Sequence, residues 1–233
     1  MKPSSASAWS ALVAAMTVPF IAALFYFVLC EDAVLARIVY VGAKVFLVFW
    51  PLVCTLTVFR SRHPRPKIRW TRIAGALAPG LLSGIAISAV ILGLMLSPLG
   101  RLVESSAHSI RDRVEHLGVM DCYWVFAVFL SLIHSLIEEY YWRWFVYGKL
   151  RGLIGRKPAA ALSSAAFASH HVIITGQLMN WPLGVLCGVG VAMGGILWAY
   201  LYERHRVLVS PWLSHAVVDF AVMAIGYHVL MIT

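Results

Sequence analysis

Charged side chains are scarce in this 233-residue chain: Asp, Glu, Lys and Arg make up 12% of it, against 61% hydrophobic residues, and the mean hydropathy is +0.82. A soluble domain carries about twice that share of charge. A chain this poor in charge cannot cover a water-facing surface, which excludes an ordinary cytosolic domain, and so apolar a composition excludes intrinsic disorder. Cysteine patterns are missing as well. Cys30, Cys54, Cys122 and Cys187 form no CxxC pair and no zinc-finger spacing. Cys54 and Cys187 fall in apolar stretches and read as core residues. Cys30 and Cys122 fall near one membrane face, where a disulfide is open but not expected. There is no HExxH, no internal repeat and no low-complexity tract. Acidic residues are the rarest charge class, ten against 19 Lys and Arg, for a formal charge of +9 and a pI near 9.7. In a soluble protein that balance would suggest nucleic-acid binding. In a membrane chain it reports loops on the inner side, so no nucleic-acid partner is expected.

What is present is a series of long apolar segments, and the expected fold is all-α: a polytopic membrane helical bundle of about seven transmembrane helices, one integral membrane domain over 1–233. The segments run 9–30, 38–59, 73–99, 122–147, 158–178, 181–202 and 208–231. The first has too long an apolar run and too poor a cleavage site for a signal peptide, and reads as an uncleaved span. With the N-terminus in the cytoplasm, the inner segments 1–8, 60–72, 148–157 and 203–207 hold 13 of the 19 Lys and Arg, and the outer segments hold four. Positive charge collects on the inner side. The expected arrangement is therefore N-terminus in and C-terminus out, in the bacterial inner membrane. The basic linker 60–72, with Pro64 and Pro66, reads as an anchor to anionic lipid. The outer loop 100–121 has room for an interfacial helix. Gly184-xxx-Gly188 and Gly190-xxx-Gly194-Gly195 in the sixth span, and the small residues from Ala159 to Ala166 in the fifth, mark close helix packing.

Against this background the ionisable residues inside spans stand out. The fourth span carries His134, Glu138, Glu139 and Arg143; the fifth carries His170 and His171; the seventh carries His215, Asp219 and His228. A charged residue at a helix centre costs about 2.5–3.5 kcal/mol on the insertion scale, so these groups must face one another or water. Glu139 and Arg143 stand at i and i+4, acid first, the favourable order for an ion pair. Glu138 lies about 100° around the helix from Glu139, on a face shared with His134 and Trp142. His215 and Asp219 again share one face. At 1.5 Å per residue, Glu138, His171, His215 and Asp219 fall within one layer, roughly 11–20 Å from the inner ends of their helices. That describes a buried site on three helices, or an internal ion-pair cluster holding them in register.

Three motifs occur in order on these spans: Glu138-Glu139-Tyr140-Tyr141-Trp142-Arg143 fits EExxxR, Phe167-Ala168-Ser169-His170-His171 fits FxxxH, and His215-Ala216-Val217-Val218-Asp219 fits HxxxN/D. In this order they resemble the CAAX-protease and bacteriocin-processing family of glutamate-type intramembrane endopeptidases, which includes the Ras-converting prenyl-protein endopeptidase. The likeness covers 122–225, the expected catalytic core; the first three spans carry no family motif. The resemblance implies a peptide hydrolase with a cavity open to the cytoplasmic side and no cofactor. Glu138 and His171 would activate water; His215 and Asp219 would form the oxyanion site. Glu139, Arg143, His134 and His170 would support them. A carboxylate in an apolar cavity suits a general base near neutral pH, and donors aimed at a developing oxyanion supply the largest electrostatic contribution. The prenyl-protein endopeptidases have Asn where this chain has Asp219. An ionised Asp cannot donate to an oxyanion. It is expected instead to pair with His215 and leave His215 as the donor.

Three other readings stay open on the residues. Zinc could be held by Glu138, His171 and His215 in a metalloprotease. The intramembrane acids and imidazoles could relay protons in a transporter, although the chain shows no repeat halves. A binding or immunity protein could keep the scaffold without catalysis. The expected partners are a membrane-associated protein or peptide substrate and the lipid bilayer.

Overall fold

The computed structural model describes residues 5–30, 32–60, 70–116 and 118–232. Lys2, the prolines Pro64 and Pro66 and the basic residues Arg62, Arg65, Lys67 and Arg69 of the expected lipid anchor lie outside the described residues. Helix α1 (Ser5–Leu24) ends in a π-helical turn, Phe25–Leu29. Helix α2 (Ala33–Thr57) starts at Asp32, whose carboxylate accepts the Leu35 N–H at 2.7 Å and so satisfies one of the unpaired amides of the first turn. Helix α3 (Trp70–Met95) follows. The loop expected on the outer side holds two short helices, α4 (Pro98–Glu104) and α5 (Ala107–His116), where one was expected.

The fourth span is a continuous rod of helical turns from Met120 to Ile154. Within it lie α6 (Tyr123–Phe129), a π-helical stretch Leu130–His134, the short α7 (Ser135–Glu139), a second π-helical stretch Tyr140–Tyr147, and α8 (Gly148–Ile154). The inner segment expected at 148–157 is thus largely helical. The chain turns at Gly155, whose φ of 87° is open to glycine without strain. Helices α9 (Arg156–Leu178), α10 (Trp181–His205) and α11 (Val209–Ile232) complete the bundle. The described residues contain no strand, and the all-α polytopic bundle stands.

Among the described residues, six helices are long and apolar enough to cross a membrane. The fifth expected span, α9, also has the length: its 23 residues reach about 34 Å. It falls short in hydropathy because Ser163, Ser164 and His170 lie along it, and those three are buried. Its polarity is turned into the protein, where neighbours can satisfy it.

Small residues set the closest approaches. A Cβ at Gly184 of α10 would stand 2.7 Å from the Gly176 backbone of α9, and one at Gly195 would stand 2.9 Å from the Ser164 side chain. Gly190 of the same expected stripe faces open space. A second seam was not anticipated. Gly84 of α3 packs on α11 so tightly that a Cβ would come within 2.8 Å of the Ser214 carbonyl, one residue before His215. At one end of the bundle Glu203 gathers Arg151, Arg156 and Arg206, and the Tyr147 hydroxyl donates to it at 3.1 Å. The segments assigned to one membrane side by their charge therefore do meet. Tyr141 donates to the Ala15 carbonyl at 2.7 Å and Trp50 to the Ala11 carbonyl at 3.1 Å, which ties α1 and α2 to the rod. All four cysteines are free; Cys54 is buried and Cys187 half-buried.

Candidate active site

The fourth span brings Glu138 and Glu139 in on α7, a five-residue α-helical stretch between two π-helical ones. Widened turns of this kind often occur at functional sites, because one extra residue re-aims the side chains beyond it. Both carboxylates are buried, Glu138 at 4% and Glu139 at 0% exposure, and they face different neighbours. Glu138 looks into a cavity of about 100 Å³ that His134, Trp142, His170 and His171 also line. Its Oε1 stands 3.3 Å from His134 Nε2 and 3.7 Å from His170 Nε2. Its Oε2 stands 3.7 Å from His215 Nε2.

His171 enters from α9. Its Nδ1 donates to the Phe167 carbonyl one turn back, 3.1 Å away. With the proton on Nδ1, the neutral ring leaves the Nε2 lone pair free to accept a proton or bind a ligand. Phe167 is fully buried, and its ring contacts those of His170, His171 and His215. This gives a physical reason for a phenylalanine four residues before His171. His170 stacks against Trp142 with an interplanar angle of 11°.

Glu139 faces the other way. Its Oε2 lies 3.3 Å from Arg143 Nε, as the i,i+4 spacing predicts. The guanidinium is itself buried, over the rings of Phe167 and Trp198 at 4.6 and 5.1 Å. Gly195 leaves it room, since a Cβ there would come within 3.3 Å of Nη2. Glu139 Oε1 accepts from His215 Nδ1 at 2.9 Å. His215 Nε2 in turn faces Asp219 Oδ1 at 3.4 Å. Both ring nitrogens of His215 therefore meet carboxylate oxygens, and only a doubly protonated ring can donate to both. Trp198 stacks on this imidazole at 4.0 Å and anchors its own Nε1 to Ser214 Oγ at 3.0 Å, so the ring is held on its face and at both edges.

The candidate residues thus converge from α7, α9 and α11 in two groups. Glu138, His134, His170 and His171 line the cavity. His215 and Asp219 are not among its lining residues; they stand behind Glu138, and Asp219 keeps 26% of its side chain exposed. His228, near the C-terminal end of α11, is exposed and remote from the cluster. Reading the sequence missed the Glu139–His215 contact, which joins residues 76 positions apart. It also missed Trp198 as the platform for His215 and Lys44 as a cavity residue. Lys44 did carry a signal, being an ionisable residue in mid-span. The zinc trio read from sequence was Glu138, His171 and His215. Among the described residues the group with ligand atoms within 4.8 Å of one another is Glu138, His170 and His171.

No curated protein and no solved structure matches the chain. Residues 121–221, the stretch that holds all three motifs, match the family described as type II CAAX prenyl endopeptidase Rce1-like. Over this stretch, less than half of the chain, the sequence is similar to that CAAX endopeptidase family.

Proposed function

We propose that the chain is an intramembrane endopeptidase in which Glu138 is the general base and His171 its partner in activating water. One observation carries this reading: a carboxylate 4% exposed, on a cavity large enough for water, ringed by three imidazoles. Water bound between Glu138 and His171 Nε2 gives a proton to the Glu138 carboxylate as its oxygen attacks the substrate carbonyl carbon. The carbonyl electron pair moves onto oxygen. His215 is held by Glu139, Asp219 and Trp198 with its Nε2 also 3.7 Å from Glu138, and on this reading its Nε2–H turns from Asp219 to the developing oxyanion. The C–N bond then breaks, and the proton taken by Glu138 passes to the leaving amine. Arg143 balances Glu139 and leaves Glu138 free to cycle its proton.

The substrate is a membrane-associated protein or peptide. A prenylated C-terminal tail, a leader peptide and a C-terminal membrane anchor each fit a site at this depth. We assign the N-terminus to the cytoplasm, the C-terminus to the outside and the protein to the bacterial inner membrane, because the arginines that meet at Glu203 belong to segments that charge places inside.

The Glu138, His170 and His171 grouping keeps a zinc-dependent hydrolysis in view as a second reading. The two separate in one assay. Purified protein in phosphatidylcholine vesicles is given a farnesylated peptide, and cleavage is followed by mass spectrometry after exhaustive chelation. Unchanged activity is expected; loss of activity that zinc restores would replace the glutamate mechanism with the metal one. Asp219→Asn tests the charge pair at His215. The change removes the carboxylate that faces His215 Nε2 and keeps the side chain's shape, so both the rate and its pH profile should change. An unmoved profile with full activity would remove Asp219 from the mechanism.

A further inference from the structure

Helix α5 carries Ser109, Asp112, Arg113 and His116, spaced i, i+3, i+4 and i+7, so all four share one face. A polar face on so short a helix would ordinarily look out into water. Here it borders a cleft of about 400 Å³ whose other walls are Phe27, in the π-helical turn that ends α1, and Gln177 and Leu178, the last two residues of α9. Ile110 and Val114, elsewhere on α5, pack against Tyr123, Ala127 and Leu230, which fixes the helix with its polar side to the cleft. The other end of α9 meets Glu203 through Arg156, about 30 Å away at 1.5 Å per residue. The cleft therefore lies at the opposite edge of the bundle, at the level where a span leaves the hydrocarbon.

Asp112 and Arg113 are adjacent in sequence and about 100° apart around the helix. Among the described residues neither makes an ion pair; the pair within α5 joins Arg111 to Glu115. The Arg113 guanidinium lies over the Tyr26 and Phe27 rings, 5.2 and 4.8 Å from their centres, which holds its plane and leaves its edges to donate. Its Nη2 is closed off from solvent and has no hydrogen-bond partner among the described residues. A shielded guanidinium nitrogen without an acceptor is costly, and the site calls for one. The cleft thus offers a fixed cation, a carboxylate, uncharged donors on Ser109 and Gln177, and an apolar wall at Phe27 and Leu178. A phosphate ester that carries a primary ammonium answers each of these: the phosphate accepts from Arg113 and the ammonium donates to Asp112. At this level of a bilayer such a group is a lipid headgroup. We propose that the cleft binds the headgroup of a phosphatidylethanolamine. The site is independent of the role given to Glu138, and one residue joins the two: Phe27 also lines the Glu138 cavity, so an occupied cleft steadies part of that wall.

Native mass spectrometry of the delipidated protein in detergent reads this directly, with phosphatidylethanolamine, phosphatidylcholine and phosphatidylglycerol of equal chain length titrated separately. The quaternary ammonium of phosphatidylcholine has no N–H to donate, and phosphatidylglycerol has no ammonium. Phosphatidylethanolamine should bind about ten- to a hundredfold more tightly than either, the range of a charge-assisted contact. Asp112→Asn should bring phosphatidylethanolamine down to the level of phosphatidylcholine, and Arg113→Gln should weaken all three. Arg101→Gln, in the neighbouring α4, should change nothing. Equal binding of the three lipids by wild type, or a preference that survives Asp112→Asn, would overturn the proposal. Phosphatidylglycerol binding as tightly as phosphatidylethanolamine would also overturn it, by reducing the site to a phosphate contact. Soluble glycerophosphoethanolamine should compete only far above the lipid concentration; competition at equal concentration would overturn the lipid as the source of the group. Glu138→Gln protein should keep the wild-type lipid preference whatever becomes of cleavage, so a failure of the protease reading and a failure of this site show in different measurements.

Discussion

Replacing Glu138 with Gln is expected to lower kcat by about 10²–10⁴-fold, the span that a positioned general base contributes. Glutamine has the shape of glutamate and can still hydrogen-bond to His134 and His170, so packing around the cavity survives. What it cannot do is accept a proton from water. The stability of the bundle, followed by thermal denaturation in detergent, should hardly change. Substrate affinity should persist, because the change removes an interaction made in the transition state. A large drop in folded protein alongside the activity loss would instead mark Glu138 as a member of a structural ion cluster. Glu139→Gln separates the two acids. It leaves the cavity carboxylate in place and disturbs His215 and Arg143, so its effect should combine a weaker catalytic loss with a clear loss of stability.

Arg143→Met is expected to have the largest effect on stability, about 3–5 kcal/mol, as when one partner of a buried ion pair is removed. The guanidinium is 2% exposed and the Glu139 it faces is 0% exposed, so the orphaned carboxylate has no route to water. The same substitution removes the cation from between Phe167 and Trp198, the two rings that also contact His215. Activity should therefore fall as well, through the position of His215. A double variant, Glu139→Gln with Arg143→Met, should recover much of the stability, since two uncharged side chains of similar volume leave no bare charge. It should recover little activity, because His215 would still lack its carboxylate. Denaturation midpoints and cleavage rates of the two single variants and the double variant check this directly. Full additivity of the stability losses would show that the pair is not coupled.

The motifs were readable because a membrane interior makes polarity conspicuous. In a chain with 12% charged residues, Glu138, Glu139 and Asp219 stand out, and helical spacing assigns Glu139 to Arg143. Spacing along one helix reports only the contacts of that helix. The bond from Glu139 to His215 crosses from α7 to α11 and left no trace in the sequence. The π-helical stretches on either side of α7 were invisible for a related reason: hydropathy sets the length of a span but not the number of residues in each of its turns. The fifth span reads as apolar in sequence although its serines and histidines lower its hydropathy, and Ser163, Ser164 and His170 are buried. The seam between α3 and α11 was missed. Gly80 and Gly84 have the same four-residue spacing as glycines of α10, in a shorter run.

Phe167 shows how a motif residue without chemistry of its own can still be required. Its ring fills the space among three imidazoles and one guanidinium, and its carbonyl fixes the tautomer of His171. Lys44 shows the converse, a residue outside every motif that borders the same cavity.

Whether Glu138 hydrolyses peptide bonds in the membrane is tested most directly without assuming a substrate. Protein termini in membranes from cells carrying the wild-type chain are compared, by quantitative mass spectrometry, with those from cells carrying Glu138→Gln at equal abundance. The expected result is a small set of membrane-associated proteins whose uncleaved termini accumulate only with Glu138→Gln. Identical terminal peptides in the two membranes would contradict the assignment of Glu138 as the base of a protease.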